Sequence, residues 1–137
     1  MEERLHITIP REHWDAMRLH VERNFPEEAC GLVGGKECVA SSVIPVTNEL
    51  HSLTAYRMAP EEQLKALLYL EEHDLDLLAI FHSHPSGPVH PSHTDIEQFA
   101  YPGTATLIWS HQSGTWVLDG FQIVGEDVYT VELNFQG

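Results

Sequence analysis

The chain is 137 residues long, the length of one ordinary domain spanning 1–137, enough to enclose a core but too short for two. Its 42% hydrophobic and 20% charged residues are those of a soluble globular protein, and no apolar run approaches the roughly 20 residues of a membrane span, which excludes a membrane helix. Seven basic against 21 acidic residues give a net charge of −14 with histidines neutral, so neither nucleic acid nor an anionic membrane surface is expected as a partner, and a cationic protein surface is favoured.

At the start of the chain Glu2, Glu3 and Arg4 precede only a short apolar alternation, without the basic start and long apolar stretch of a secretory signal, so a cytoplasmic location is expected. Cys30 and Cys38 are accordingly read as reduced, buried thiols. Leu5, Ile7 and Ile9 alternate with polar residues and predict a first strand ended by Pro10. From Arg11 a stripe of Trp14, Met17, Val21 and Phe25 predicts a helix that stops before Pro26 and packs on a sheet. Ala29 to Gly35 and Cys38 to Val46 read as two strands joined by a Gly-Gly-Lys turn, followed by a loop from Thr47 to Thr54 and a short strand at Tyr56 to Met58. Pro60 opens a second helix to about His73, with Leu64, Leu67 and Leu68 inward.

The run Leu75 to Phe81 has the pattern of a central strand buried on both faces, and it leads directly into His82. Ser83 to Pro91, with three prolines and a glycine, is loop, and Ser92 to Ala100 begins as a helix. Ala105 to Trp109, Thr115 to Phe121 and Val128 to Val131 predict closing strands, the first two a hairpin around Gln112-Ser113-Gly114. The terminal Asn134-Phe135-Gln136-Gly137 partly matches the remnant of an engineered protease site and carries no weight.

His82 and His84, two apart at the end of a strand, project to one face and can hold one ion jointly. Asp95 follows in Ser92-x-x-Asp95, the spacing of a helix N-terminal cap, which turns a carboxylate back toward the loop. Two imidazoles and a carboxylate are a three-ligand catalytic zinc set with a fourth position left for water. Each feature alone is commonly bland: His-x-His an accident of core or surface, Ser-x-x-Asp a plain cap, Glu27-Glu28 a solvated acidic pair. The buried strand, His-x-His, the Pro/Gly loop and the capped carboxylate fall in one tight window, and jointly they favour a metal site.

These residues resemble the JAMM, or MPN-plus, metalloprotease family, whose motif is a distant Glu followed by His-x-His-Pro, a short loop and Ser-x-x-Asp. Here it reads Glu28-Ala29-Cys30-Gly31, His82-Ser83-His84-Pro85 and Ser92-His93-Thr94-Asp95, with seven residues between His84 and Ser92. The resemblance covers nearly the whole chain and implies an α/β (α+β) fold, an MPN/JAB1 domain with a mixed curved β-sheet flanked by helices and cytidine-deaminase-like layering. It also implies one zinc ion on His82, His84 and Asp95, with Glu28 rather than Glu27 as the general base and acid that activates zinc-bound water, and Ser92 near the oxyanion. Three ligands suffice, so His90, His93 and His111 are not expected on the ion. The apolar surroundings of Cys30 argue against a nucleophile.

Compact prokaryotic members of that family act on ubiquitin-like proteins, including small sulfur carriers, so the resemblance implies hydrolysis of a peptide or isopeptide-type bond at a carrier's C-terminal tail. The tail would add as a strand, with Thr47-Asn48 and the Ser83 to Pro91 loop as candidate channel walls. Homodimerisation is left open. Two other readings stand beside this one: a non-catalytic MPN scaffold that binds partners, and a RadC-like protein associated with DNA repair, suggested by His82-Ser83-His84-Pro85-Ser86-Gly87. The complete ligand set argues against the first, and the acidic balance against the second.

Overall fold

A computed structural model describes residues 5–137; Glu2, Glu3 and Arg4, on which the expectation for the start of the chain turned, lie outside them. The elements run β1 (His6–Pro10), α1 (Arg11–Asn24), β2 (Cys30–Lys36), β3 (Val39–Val46), α2 (Pro60–Glu72), β4 (Asp76–His84), α3 (His93–Glu97), β5 (Ala105–Gln112), β6 (Thr115–Val124) and β7 (Asp127–Gln136). The mixed sheet, ordered β1-β3-β2-β4-β5-β6-β7, closes into a barrel because β7 pairs parallel with β1. The terminal Asn134 to Gln136 belong to that seam, opposite Thr8 to Pro10. Among the described residues no helix is long and apolar enough to cross a membrane.

Alternation along β4 divides two cores. Ala79 and Phe81 face a cluster with Ile7, Ile9, Met17, Val21, Leu107 and Trp109, whereas Ile80 faces Cys30, Leu32, Val46, Met58 and Ala66. On α1, Met17 and Val21 are buried and Trp14 packs on Trp109 at a centroid distance of 5.2 Å. The expected stripe ends there: Phe25 is the C-cap, beyond the last helical turn, and its ring lies against His111 and Trp116 instead of the core.

Several expectations are corrected: β4 runs on through Ser83 and His84, which the proline pattern places in the loop, and Cys38 is half-buried rather than buried. The β2–β3 turn is made by Glu37 and Cys38, at φ 50° and 64°, and not by Gly34-Gly35-Lys36. Both residues with positive φ suit the two-residue turns that match strand twist. The glycines lie inside β2 because the neighbouring chain comes too close for a side chain: a Cβ on Gly35 would fall 1.9 Å from the Val39 carbonyl oxygen. On α2 the buried residues are Ala66 and Leu70, while Leu64 and Leu68 are exposed. At 3.6 residues per turn Leu64 and Leu68 stand nearly opposite Ala66 and Leu70, and leucines all round the helix obscured which stripe would turn inward.

Gly31 is also required by close approach, since a Cβ there would sit 2.4 Å from the Phe81 ring and 2.7 Å from the backbone oxygen of Ile44. Neither a core-packed ring nor a strand carbonyl can yield cheaply, so Gly31→Ala is expected to destabilise the protein by about 2–3 kcal/mol, read as a lower urea midpoint at unchanged slope.

Candidate active site

The antiparallel register of β2 and β4 sets Cys30 opposite His82. One residue outward, the Ala29 N–H donates to Ser83 Oγ at 2.8 Å and the Ser83 N–H to the Ala29 carbonyl at 3.0 Å. Another step outward lies Glu28, ahead of the first residue of β2. Alternation puts His82 and His84 on the Ile80 side of the sheet and sends Ser83 to the other, where it ties the strands together. The second strap on Glu28 comes from the loop after β3: its N–H donates to the Ser52 carbonyl at 2.8 Å, and its carbonyl accepts from Asn48 Nδ2 at 3.0 Å.

Asp95 arrives from the first turn of α3. The Ser92 N–H donates to Asp95 Oδ2 at 2.8 Å and the Asp95 N–H donates to Ser92 Oγ at 3.0 Å, a reciprocal capping box. The same Oδ2 lies 3.1 Å from His82 Nε2 and 3.1 Å from His84 Nε2, and those two nitrogens are themselves 3.1 Å apart. The carboxylate of Glu28 lies within 4.8 Å of both imidazoles.

This triangle is a fit for a metal ion. Tetrahedral zinc with bonds of about 2.0–2.1 Å separates its ligand atoms by about 3.3 Å, close to the observed edges. The His84 Nδ1–H donates to the Pro88 carbonyl at 2.9 Å, which leaves a lone pair on Nε2 and directs it into the triangle. Two imidazole nitrogens and an anionic oxygen converging on one point are mutually stabilised by a cation between them. Tyr56 stacks on the His82 ring at 4.6 Å and fixes its plane from the opposite side.

The electrostatics separate the two carboxyls. Burial pushes Glu28 up to about 7, with neighbouring Asp95 adding to the rise and His84 opposing it. Burial would raise Asp95 as well, but the imidazoles of His82 and His84 beside it outweigh that in the metal-free site and hold Asp95 well below the usual carboxylate range. Burial lowers His82; for His84 the same penalty is overcome by Asp95 and Pro88, so its value rises. Cys30 is fully buried and its thiol is pushed up to about 12 by burial, the environment of an inert core sulfur.

Two cavities flank the triangle and meet at Ser92. One, of about 200 Å³, is walled by Tyr56, His82, Asp95, Phe99 and Tyr101; the other, of about 340 Å³, by Glu28, Leu53, Thr54, His84 and the Pro85 to Pro91 loop. That loop is therefore a wall, whereas Asn48 is buried beneath the site and lines neither cavity, which corrects the expectation for Thr47-Asn48. His90 borders the larger cavity, His93 pairs with Glu97 on the surface, and His111 packs with Phe25 and Trp116. Sequence reasoning does not point to Tyr56 at the site, and it places Asn48 and Ser83 there only as parts of channel walls. Only Ser83 has a local signal for its strand-tying part: it stands between two histidines that share one face, so it must point to the other.

A family described as prokaryotic homologs of the JAB domain matches residues 10–121. A probable TtuB-protein conjugate cleaving protease of Thermus thermophilus is 45% identical over 93 residues, 67% of this chain and 62% of that protein. The CysO-cysteine peptidase of Mycobacterium tuberculosis is 38% identical over 98 residues, 70% of this chain and 67% of the relative. The matched segment thus spans a little under two thirds of the Thermus protein's length. Among solved structures, protein DSY2949 of Desulfitobacterium hafniense superposes with a TM-score of 0.86 at 30% identity, covering 95% of this chain and 92% of that one. The JAB1/MPN domain protein AF2198 of Archaeoglobus fulgidus does so with a TM-score of 0.60 at 17% identity over 93% and 97%, a likeness of fold. With the family match running from the end of β1 into β6 and taking in the Glu28 strand, both histidines and the capped aspartate, the chain belongs to the prokaryotic homologs of the JAB domain.

Proposed function

We propose that this chain is a zinc-dependent hydrolase of peptide or isopeptide-type bonds at the C-terminus of a ubiquitin-like or sulfur-carrier protein. The observation that carries it is the set of three donor atoms 3.1 Å apart with a buried carboxyl, at about 7, within 4.8 Å of both imidazoles. His82, His84 and Asp95 would hold the ion. When bound, zinc polarises a carbonyl and brings the pKa of coordinated water from 15.7 toward about 7.

Glu28 does the proton work. Its carboxylate takes a proton from the attacking water as the oxygen bonds to the carbonyl carbon, and it returns that proton to the leaving amine as the C–N bond breaks. Glu28 sits at about 7 in the metal-free protein, and a cation bound beside it would draw it lower, toward the ionised form that a general base needs. Ser92 Oγ already accepts the Asp95 N–H, so the hydroxyl hydrogen remains free to donate to the developing oxyanion. The two cavities meeting at Ser92 accommodate the two sides of a scissile bond, and a Gly-Gly tail has no side chains to clash with the aromatic wall of the smaller one. Relatives named for cleaving a TtuB-protein conjugate and CysO-cysteine support a carrier tail as substrate.

The test uses a Gly-Gly-ended sulfur carrier joined through its C-terminal carboxyl to cysteine in one conjugate and to a lysine side chain in another, read by mass. Release of free carrier is expected from at least one, lost on chelation and restored by zinc. Turnover that survives complete removal of metal, or intact conjugates after incubation with zinc-loaded protein, rejects the proposal.

A further inference from the structure

Glu28 precedes the first residue of β2, so its backbone is outside the strand ladder and must be held by something else. Both of its backbone groups are bonded to the loop after β3, and that loop is organised by one side chain. Asn48 is 7% exposed and makes four hydrogen bonds: Nδ2 donates to the carbonyls of Glu28 and Ala55, each at 3.0 Å, and Oδ1 accepts from the N–H groups of Leu50 and Arg57, each at 3.1 Å. These use both donors and both lone pairs that an amide side chain has. Its backbone pairs in a bridge with Met58, so the loop is pinched shut at its base. Within the loop Ser52 receives the Glu28 N–H, and Tyr56 stacks on His82. A single buried amide thus joins the backbone under Glu28 to the segment that plates His82.

We infer that Asn48 is a positioning residue, setting Glu28 and the Tyr56 loop at the distance from the two imidazoles that proton transfer needs. The inference rests on the role given to Glu28 above. No other short side chain offers two donors and two acceptors at once: aspartate has no donor, and serine has too few sites. A displacement of about 1 Å is enough to cost roughly 100-fold in rate when a reacting group is misaligned.

The experiment combines kinetics with amide exchange on the full chain, using the carrier conjugate that the protein cleaves. Asn48→Ala is expected to lower kcat by roughly 10- to 100-fold, with KM within about threefold and zinc stoichiometry unchanged. In a Glu28→Gln background the same substitution should cost less than about twofold further, because the group it positions is gone. Exchange should quicken at the Glu28, Leu50 and Arg57 amides while β4 and β5 stay protected. Asn48→Asp keeps the acceptor oxygen for Leu50 and Arg57 but turns a carboxylate oxygen against the Glu28 carbonyl, so it should push that backbone off Ser52 and quicken the Glu28 amide while Leu50 and Arg57 remain slow, and it serves where the alanine variant fails to fold. Equal losses in both backgrounds, or unchanged exchange at the Glu28 amide in both variants, overturns the inference. If Glu28→Gln alone retains full turnover, the general-base assignment falls instead, and the exchange data still decide whether Asn48 holds that backbone.

Discussion

Glu28→Gln is expected to lower turnover by roughly 10²- to 10⁴-fold and at the same time to make the metal-free protein more stable at pH 8. The first effect follows from removing the group proposed to take and return the proton while keeping its size. The second follows from the cost of burying that group. Glu28 titrates at about 7 in the fold against 4.5 for an ordinary glutamate, so between those values the folded protein binds more protons than the unfolded chain. Stability is therefore highest below pH 4.5 as far as this residue is concerned, falls as pH rises to about 7, and is flat beyond. The rise from 4.5 to about 7 corresponds to about 3 kcal/mol, which glutamine would recover because it has no charge to desolvate. Urea unfolding of chelator-treated protein at pH 5 and pH 8 measures it: the gap between wild type and Glu28→Gln should open with pH. An equal gap at both pH values would mean that the carboxyl is ionised without penalty, and its poise as a neutral-pH proton carrier would be lost with it.

Asp95→Ala should abolish measurable zinc binding, and Asp95→Asn should separate the two duties of this side chain. Changes behind a metal ligand already cost 10- to 100-fold in affinity, so loss of a ligand is expected to cost well over about 100-fold. Asparagine still presents an oxygen to the Ser92 N–H, so the start of α3 should hold its shape while the charge that draws His82 and His84 together disappears. Competition against a chromogenic chelator gives the affinity, and circular dichroism the fold. Asp95 also affects acid stability in the opposite sense to Glu28. Its folded value is depressed, so its contribution is present above the ordinary carboxylate value and drains away as pH falls through and below it. If Asp95→Ala bound zinc as tightly as the wild type, the site would have to be built on Glu28, His82 and His84, which also lie within 4.8 Å of one another.

Local patterns carried a large part of this structure. The run into His82, the proline that opens α2, the Ser113-Gly114 hairpin and the Ser92 cap all have causes within a few residues, and each appears where the pattern put it. Errors arose where the deciding neighbour is distant in sequence. Gly34-Gly35 looked like a turn because nothing nearby reveals that Leu70 and Leu78 crowd the strand. Leu64 and Leu68 looked inward because only the packed sheet selects which side of a leucine-rich helix is covered.

What the sequence by itself determined is the chemistry on offer: two imidazoles on one face of a strand end, a carboxylate turned back by a helix cap, and a glutamate ahead of a glycine that close packing demands. Only the tertiary structure decided that these meet, because the meeting depends on the β2–β4 register, which sets Cys30 opposite His82 and so brings the nearby Glu28 carboxylate within 4.8 Å of both imidazoles. It alone also decided the proton affinity of Glu28, since desolvation belongs to the walls around a group and not to the group. The part of Asn48 was invisible beforehand for the same reason: its four partners are backbone atoms, and backbone atoms carry no residue identity.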